Sequence, residues 1–198
     1  MKKILIATRN PDKFREILYL LQGLPFEFVS LLDFPDIDPV EETGLTLIEN
    51  STIKALNAYR YTGIPAVADD TGLSVNALQG MPGVFSARFA GENSTYADNR
   101  RKLLNLMEGV MDRRARFVTV VTFASDKIYH FTGEVEGFIT LEERGSGGFG
   151  YDSIFLYPLL GKTFAEIPFD VKNRISHRAR AFSLLKKFLK AHEGSFSG

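Results

Sequence analysis

An α/β fold on a mixed, twisted sheet is predicted by three features: an opening strand–loop–helix unit, a second amphipathic helix that leads into an apolar strand, and a long hairpin pattern that an all-parallel sheet would not contain. Lys3–Thr8 is β-branched and apolar, Arg9-Asn10-Pro11-Asp12 breaks it, and Phe14, Ile17, Leu18, Leu20 and Leu21 return at helical spacing. Phe26–Leu32 reads as a second strand, and a loop rich in Asp, Pro and Glu runs from it to Gly44. Thr46-Leu47-Ile48-Glu49 is a capping box, in which Thr46 and Glu49 satisfy each other's free amides, and it opens a helix to about Tyr61. Ile64–Ala68 is a continuous apolar strand that stops at Asp69-Asp70-Thr71-Gly72, with Leu73–Leu78 as its continuation. Gly80–Gly83 is a turn, and Thr95–Val110 is a helix with Leu103, Leu104 and Met107 inward. Arg116–Ala124 and Ile128–Thr140 form the hairpin around Asp126-Lys127. A glycine-rich loop (Gly145–Gly150), a short extended segment (Ile154–Tyr157) and a helical region (Lys172–Lys190) complete the chain. With no internal repeat and no linker, residues 1–198 read as a single domain.

Charge and composition narrow the function classes. The 198 residues carry 24 Lys+Arg against 24 Asp+Glu and are 44% hydrophobic, which describes a globular chain able to bury a core without staples and excludes disordered and collagen-like classes. Zero net charge leaves no global positive field, so nucleic acid is not an expected partner. The absence of cysteine excludes disulfides, cysteine-ligated zinc and a thiol nucleophile. No run approaches the ~18 apolar residues of a membrane span, and the apolar run after Lys2-Lys3 is far short of a signal-peptide core. No membrane association and a cytoplasmic location are therefore expected. Asn50-Ser51-Thr52 and Asn93-Ser94-Thr95 match the glycosylation pattern by chance on that reading.

Several short constellations could carry chemistry. In Thr8-Arg9-Asn10-Pro11-Asp12-Lys13, Asn10 stands at an N-cap and Pro11 at the first helical position; free amides, the helix dipole, a hydroxyl and a lysine there suit a phosphate, or merely cap a helix. Asp69-Asp70 at a strand end is costly unless a cation or donors compensate, and such oxygen ligands favour Mg²⁺ or Mn²⁺; the bland alternative is a turn. Glu41-Glu42 is a second acidic pair able to reach the same end of the sheet. At about 100° per residue, Asn50, Lys54 and Asn57 share one sector of the second helix, either a polar cleft or a solvated face. Gly145–Gly150 satisfies G-x-G-x-x-G but lacks the helix a dinucleotide fingerprint requires. It offers backbone freedom beside Phe149, whose ring could stack on a planar base or enter the core. Ser176-His177-Arg178 opens the last helix and, taken alone, reads as surface decoration.

Taken in order, Thr8-x-Asn10-x-x-Lys13, Glu41-Glu42-Thr43-Gly44, Glu49-Asn50 with Lys54-Ala55, Asp69-Asp70-Thr71-Gly72-Leu73, Pro82-Gly83 with Ser86-Ala87-Arg88, Gly147-Gly148-Phe149-Gly150-Tyr151-Asp152 and Lys172-Asn173-x-x-Ser176-His177-Arg178 resemble the inosine triphosphate pyrophosphatase family over nearly the whole chain. Any one of these motifs is short, but seven in order are specific. The resemblance implies two lobes around a long central sheet and an active-site cleft, a homodimer, and Mg²⁺-dependent cleavage of non-canonical purine nucleoside triphosphates (ITP, dITP, XTP) to the monophosphate and pyrophosphate, with Mn²⁺ able to substitute.

Carried over position by position, the resemblance gives Thr8, Arg9, Asn10, Pro11, Asp12 and Lys13 to the triphosphate, together with Lys54. It gives the metal to Glu42 and Asp70, with Asp70 also activating the attacking water. Thr71 keeps a hydroxyl where the family often has serine. Phe149 would stack on the base, Gly150, Tyr151 and Asp152 would shape its pocket, and Lys172, His177 and Arg178 would read the purine edge. Two rival readings share parts of this pattern: a pyrophosphatase for another modified or pyrimidine nucleotide, and a non-catalytic nucleotide- or RNA-binding module using Arg178, Arg180, Lys186, Lys187 and Lys190.

Overall fold

Strand β1 (Lys2–Ile6) begins the chain in the computed structural model, which describes residues 2–193. Helix α1 (Pro11–Leu21) starts where its cap dictates: Asn10 Oδ1 accepts from the amides of Asp12 and Lys13 at 2.9 and 3.3 Å, and Pro11 occupies the first turn. β2 (Phe26–Ser30) runs parallel to β1, with Ile4 opposite Phe28, and a short 3₁₀ turn at Leu31–Asp33 replaces the rest of the expected strand. Helix α2 (Leu47–Thr62) carries the predicted capping box, with Thr46 Oγ1 accepting from the Glu49 amide at 3.2 Å and Glu49 Oε2 from the Thr46 amide at 2.9 Å.

The order continues β3 (Ala66–Val75), β4 (Pro82–Gly83), α3 (Tyr96–Leu106), β5 (Arg114–Ala124), β6 (Ile128–Ile139), β7 (Phe155–Tyr157), β8 (Lys162–Thr163), α4 (Phe169–Ile175) and α5 (His177–Ala191). The strands hydrogen-bond in the order β2-β1-β3-β5-β6-β7-β8, with β4 paired to β3. The sheet is mixed: β1 pairs in parallel with β2 and β3, whereas β3–β4, β6–β7 and β7–β8 are antiparallel. β5 and β6 are neighbours joined by residues 125–127, which only an antiparallel hairpin allows.

The chain divides into two compact units. The first comprises Met1–Asp70, Thr119–Gly133 and Arg178–Gly198. Its β1 is buried on both faces, as a strand flanked by parallel partners should be: Ile4 and Ile6 pack with Ile17, Leu21, Phe182 and Leu185 of α1 and α5, while Leu5 packs with Ala55, Ala58 and Ala66. The second comprises Thr71–Val118 and Glu134–His177. Phe117, Phe155 and Phe164 form its aromatic centre, with ring centroids 4.6 to 6.1 Å apart, and Leu103, Met107, Val135 and Ile139 surround them. Gly137 lets β6 approach β7, because a Cβ there would lie 2.4 Å from the Leu156 carbonyl oxygen. Among the described residues no helix is long and apolar enough to cross a membrane.

The structure corrects further local expectations. β3 does not stop at the aspartates but runs unbroken through Asp69-Asp70-Thr71-Gly72, because cations within the first unit compensate the buried carboxylates. It ends at Val75, where a 3₁₀ turn takes over instead of a strand to Leu78. Helix α3 ends at Leu106, before Gly109 in the left-handed region. The C-terminal helical region is two helices, because Ser176 adopts extended angles (φ −68°, ψ 160°) at the end of α4.

Candidate active site

Two groups of polar side chains stand out, one in each unit. In the first, Lys54 on α2 donates to Asp70 Oδ1 at 2.9 Å and to Glu42 Oε1 at 3.2 Å, so a single ammonium gathers two carboxylates. Glu42 is half-buried and Glu41 exposed, which separates the two members of that acidic pair. Burial raises the Asp70 pKa, against the pull of Lys54 and Lys13. Burial also works against the Lys54 ammonium, but Asp70, Glu42 and Asp69 together outweigh it and raise its pKa. Asp70 Oδ2 is buried and accepts no hydrogen bond among the described residues.

Asp69, its neighbour on β3, faces a different set. Lys13 Nζ lies 3.4 Å from Asp69 Oδ2, and Arg178 donates to the same oxygen through Nε at 3.3 Å and Nη2 at 3.2 Å. Arg178 Nη1 donates to Glu16 Oε2 at 2.6 Å, and both of those side chains are at least 96% buried. Burial opposes ionisation of Asp69, yet Lys13, Arg178 and Lys54 hold its carboxyl well below the usual range. Burial lowers the Lys13 pKa, and Asp69 offsets only part of that effect. For Arg178, Asp69 and Glu16 override desolvation and raise the pKa.

The loop before α1 is more closed than its sequence suggests. Thr8 Oγ1 accepts from the Asn10 amide at 3.2 Å, and the Asp12 and Lys13 amides are already committed to Asn10. Asp12 lies 3.5 Å from Arg15, and Arg9 Nη2 donates to the Ile37 carbonyl. The helix dipole and the charges of Lys13 and Arg9 therefore remain as the attractions for an anion, in place of an open row of amides.

The second group surrounds the glycine-rich loop. Asp152 Oδ2 accepts from the Phe149 amide at 2.9 Å and from Lys172 Nζ at 2.6 Å, and Lys172 Nζ lies 5.1 Å from the Phe149 ring centroid. Gly148 (φ 68°) must lack a side chain, since a Cβ would meet Asp152 Oδ2 at 2.1 Å. Gly150 follows in the left-handed region, and the buried Tyr151 donates its hydroxyl to the Ser86 carbonyl at 2.9 Å. His177 is buried against the Phe117 ring (4.4 Å, 18°) rather than displayed on the surface. Thr71 is half-buried at the point where β3 enters this unit.

Glu42, Lys54, Asp70 and Lys13 thus meet in one unit, and Phe149, Asp152, Lys172 and His177 lie in the other. Arg178 falls in the first unit, engaged by Glu16 and Asp69. The sequence reading missed Glu16, although its spacing of three from Lys13 puts both on one face of α1.

Residues 4–188 match the Ham1 family. The chain belongs to that family. A dITP/XTP pyrophosphatase of Geobacter sulfurreducens is 49% identical over 193 residues, covering 96% of this chain and 97% of the relative, and one of Listeria monocytogenes (serovar 1/2a) is 46% identical over 193, covering 96% and 95%. Among solved structures, a HAM1 protein from Coxiella burnetii superposes with a TM-score of 0.89 at 40% identity, covering 96% of this chain and all of that one. The Staphylococcus aureus Ham1 protein gives 0.87 at 40% identity, covering 96% and 99%. The Ham1 match bears out the resemblance read from the seven motifs and the mixed α/β fold.

Proposed function

We propose that this chain hydrolyses non-canonical purine nucleoside triphosphates (dITP, ITP, XTP) to the nucleoside monophosphate and pyrophosphate, with Asp70 activating the attacking water. The observation that carries the mechanism is a buried carboxylate with one oxygen held by Lys54 and the other without a hydrogen bond among the described residues. The relatives named dITP/XTP pyrophosphatases support the substrate class.

Asp70 Oδ2 takes a proton from water, whose oxygen attacks the α-phosphorus; the bond from that phosphorus to the α,β-bridging oxygen breaks and pyrophosphate leaves. Lys54 and Lys13 offset charge on the phosphates, Lys54 through the one donor left after its two carboxylate bonds. Thr8 to Asp12 shape the loop in which the triphosphate lies. Arg178, which the family resemblance gives to the purine edge together with Lys172 and His177, also bonds Asp69 and so fixes β3 beside Asp70.

The donor set fits a hard divalent cation. Among the described residues no three His, Asp or Glu cluster as a metal cage, but Glu42 and Asp70 converge, and Mg²⁺ is commonly held by one or two carboxylates with water and substrate phosphates. Lys13, Lys54 and Arg178 are also already outnumbered by Glu16, Glu42, Asp69 and Asp70, so a triphosphate needs further positive charge there. Mg²⁺, or Mn²⁺ in its place, would neutralise phosphate oxygens when held by Glu42 and Asp70. A chelator should abolish turnover and added Mg²⁺ restore it; full activity in the chelator would remove the metal from the reading.

The base is assigned to the second group. Phe149 stacks on the purine, Gly150, Tyr151 and Asp152 shape the pocket, Thr71 contributes a hydroxyl, and Lys172 with His177 faces the 6-keto acceptor where adenine carries a donor. Lys172→Ala or His177→Ala should erode the preference for ITP over ATP, measured as a ratio of kcat/KM; an unchanged ratio in both would remove them from base reading. The working form on this reading is a cytoplasmic homodimer, each chain a single domain of two lobes, which equilibrium sedimentation tests for its dimer.

Incubation with ITP, dITP, XTP, ATP, GTP and dTTP in parallel, separating pyrophosphate from orthophosphate, tests the whole assignment. IMP with pyrophosphate from ITP, and ATP and GTP nearly untouched, is expected. Stepwise orthophosphate release, or turnover of dTTP alone, would overturn it.

A further inference from the structure

Helix α3 carries Tyr96 and Arg100 one turn apart on a common face. Arg100 Nη1 donates to the Gly150 carbonyl at 2.9 Å, and Arg100 Nε donates to Glu143 Oε2 at 2.8 Å. The same Glu143 oxygen accepts from Ser153 Oγ at 2.9 Å. Glu143 lies before the glycine-rich loop and Ser153 after it, so one carboxylate joins the segments on either side of the loop while the guanidinium holds Gly150. The Tyr96 ring lies 6.0 Å from that of Phe149, tilted by 35°, and so backs the phenyl ring.

Such a clamp has a physical reason to exist. Gly145, Gly148 and Gly150 all adopt left-handed angles (φ 82°, 68° and 61°), and glycine loses more conformational freedom on ordering than any other residue. A loop of this kind holds an aromatic at a fixed angle only if something outside it supplies the restraint. Arg100 is four-fifths buried and its bond to Gly150 lies out of bulk water, whereas Glu143 is 42% exposed, so the Gly150 bond is the better shielded of the two.

We propose that Arg100 is a positioning residue for base recognition, holding the Gly147–Asp152 loop through Gly150 and Glu143 so that Phe149 is ready to stack before the nucleotide arrives. This rests on the reading of Phe149 as the base-stacking residue. Arg100→Ala, Glu143→Ala and the double variant are assayed with XTP, and with tripolyphosphate as an inhibitor that has phosphates but no base. Loss of preorganisation should raise KM for XTP roughly tenfold in each. kcat should stay within about twofold and inhibition by tripolyphosphate should not change, since the phosphate groups lie outside the clamp. The double variant should be no worse than the more affected single, because both act on one clamp. Arg100→Lys should recover part of the loss, as an ammonium can reach one acceptor but not span two.

Phe149→Leu separates the failure modes. Its KM rising while those of Arg100→Ala and Glu143→Ala stay unchanged would overturn this inference alone. Unchanged KM in all three would overturn the base-site reading, and this inference with it. A fall in kcat with weakened tripolyphosphate inhibition in Arg100→Ala would show general damage rather than positioning, and would also overturn it.

Discussion

Asp70→Asn is expected to lower turnover of ITP or XTP by roughly 10²-fold or more while leaving folding and nucleotide binding largely intact. Asparagine matches aspartate in shape, and its carbonyl oxygen can still accept from Lys54, which now sits 2.9 Å from Asp70 Oδ1. What it cannot do is receive a proton where Oδ2 stands. Because Asp70 is also assigned to the metal, the measurement is made across a Mg²⁺ titration: weaker metal binding is corrected at high Mg²⁺, whereas a missing proton acceptor is not. Near-normal turnover at saturating Mg²⁺ would take Asp70 out of the base role and leave its buried oxygen unexplained.

Arg178→Ala is expected to be the most destabilising of the single changes considered, by about 3–5 kcal/mol in denaturant unfolding, the loss seen when one partner of a buried ion pair is removed. The guanidinium bonds Glu16 at 2.6 Å and Asp69 at 3.2 Å, and its removal leaves the Glu16 carboxylate buried without that partner. Asp69 would retain Lys13, at 3.4 Å. Glu16→Gln in the Arg178→Ala background should therefore recover part of the stability, because a neutral amide is far cheaper to bury. A loss below about 1 kcal/mol, the range of exposed pairs, would show that the triad is not the anchor its burial implies.

Elements set by local chemistry are legible in the amino-acid sequence itself. The starts of α1 and α2 follow from Asn10-Pro11 and from the Thr46–Glu49 box, and the hairpin of β5 and β6 follows from its apolar runs and short turn. What escapes the sequence depends on partners far along the chain. Asp69 and Asp70 read as a strand end because two adjacent carboxylates are costly in a buried strand; β3 tolerates them since Arg178 arrives from 109 residues away and Lys13 from α1. His177 and Arg178 read as surface decoration for the same reason. One is buried in an aromatic stack and the other in an ion-pair triad, with partners that come from far along the chain. Of the candidate site, residue types and chain positions are legible through seven motifs, while the division of labour is not: Lys54 gathers Glu42 and Asp70, Asp69 takes Lys13 and Arg178, and Arg100 pins the glycine loop.

Hydrolysis of XTP in ¹⁸O-labelled water, with both products resolved by mass, tests most directly whether Asp70 aims water at the α-phosphorus. Attack at that atom places the label in the monophosphate and leaves pyrophosphate unlabelled. Label in pyrophosphate, with an unlabelled monophosphate, would mean that water attacks the β-phosphorus and would contradict the mechanism built on Asp70.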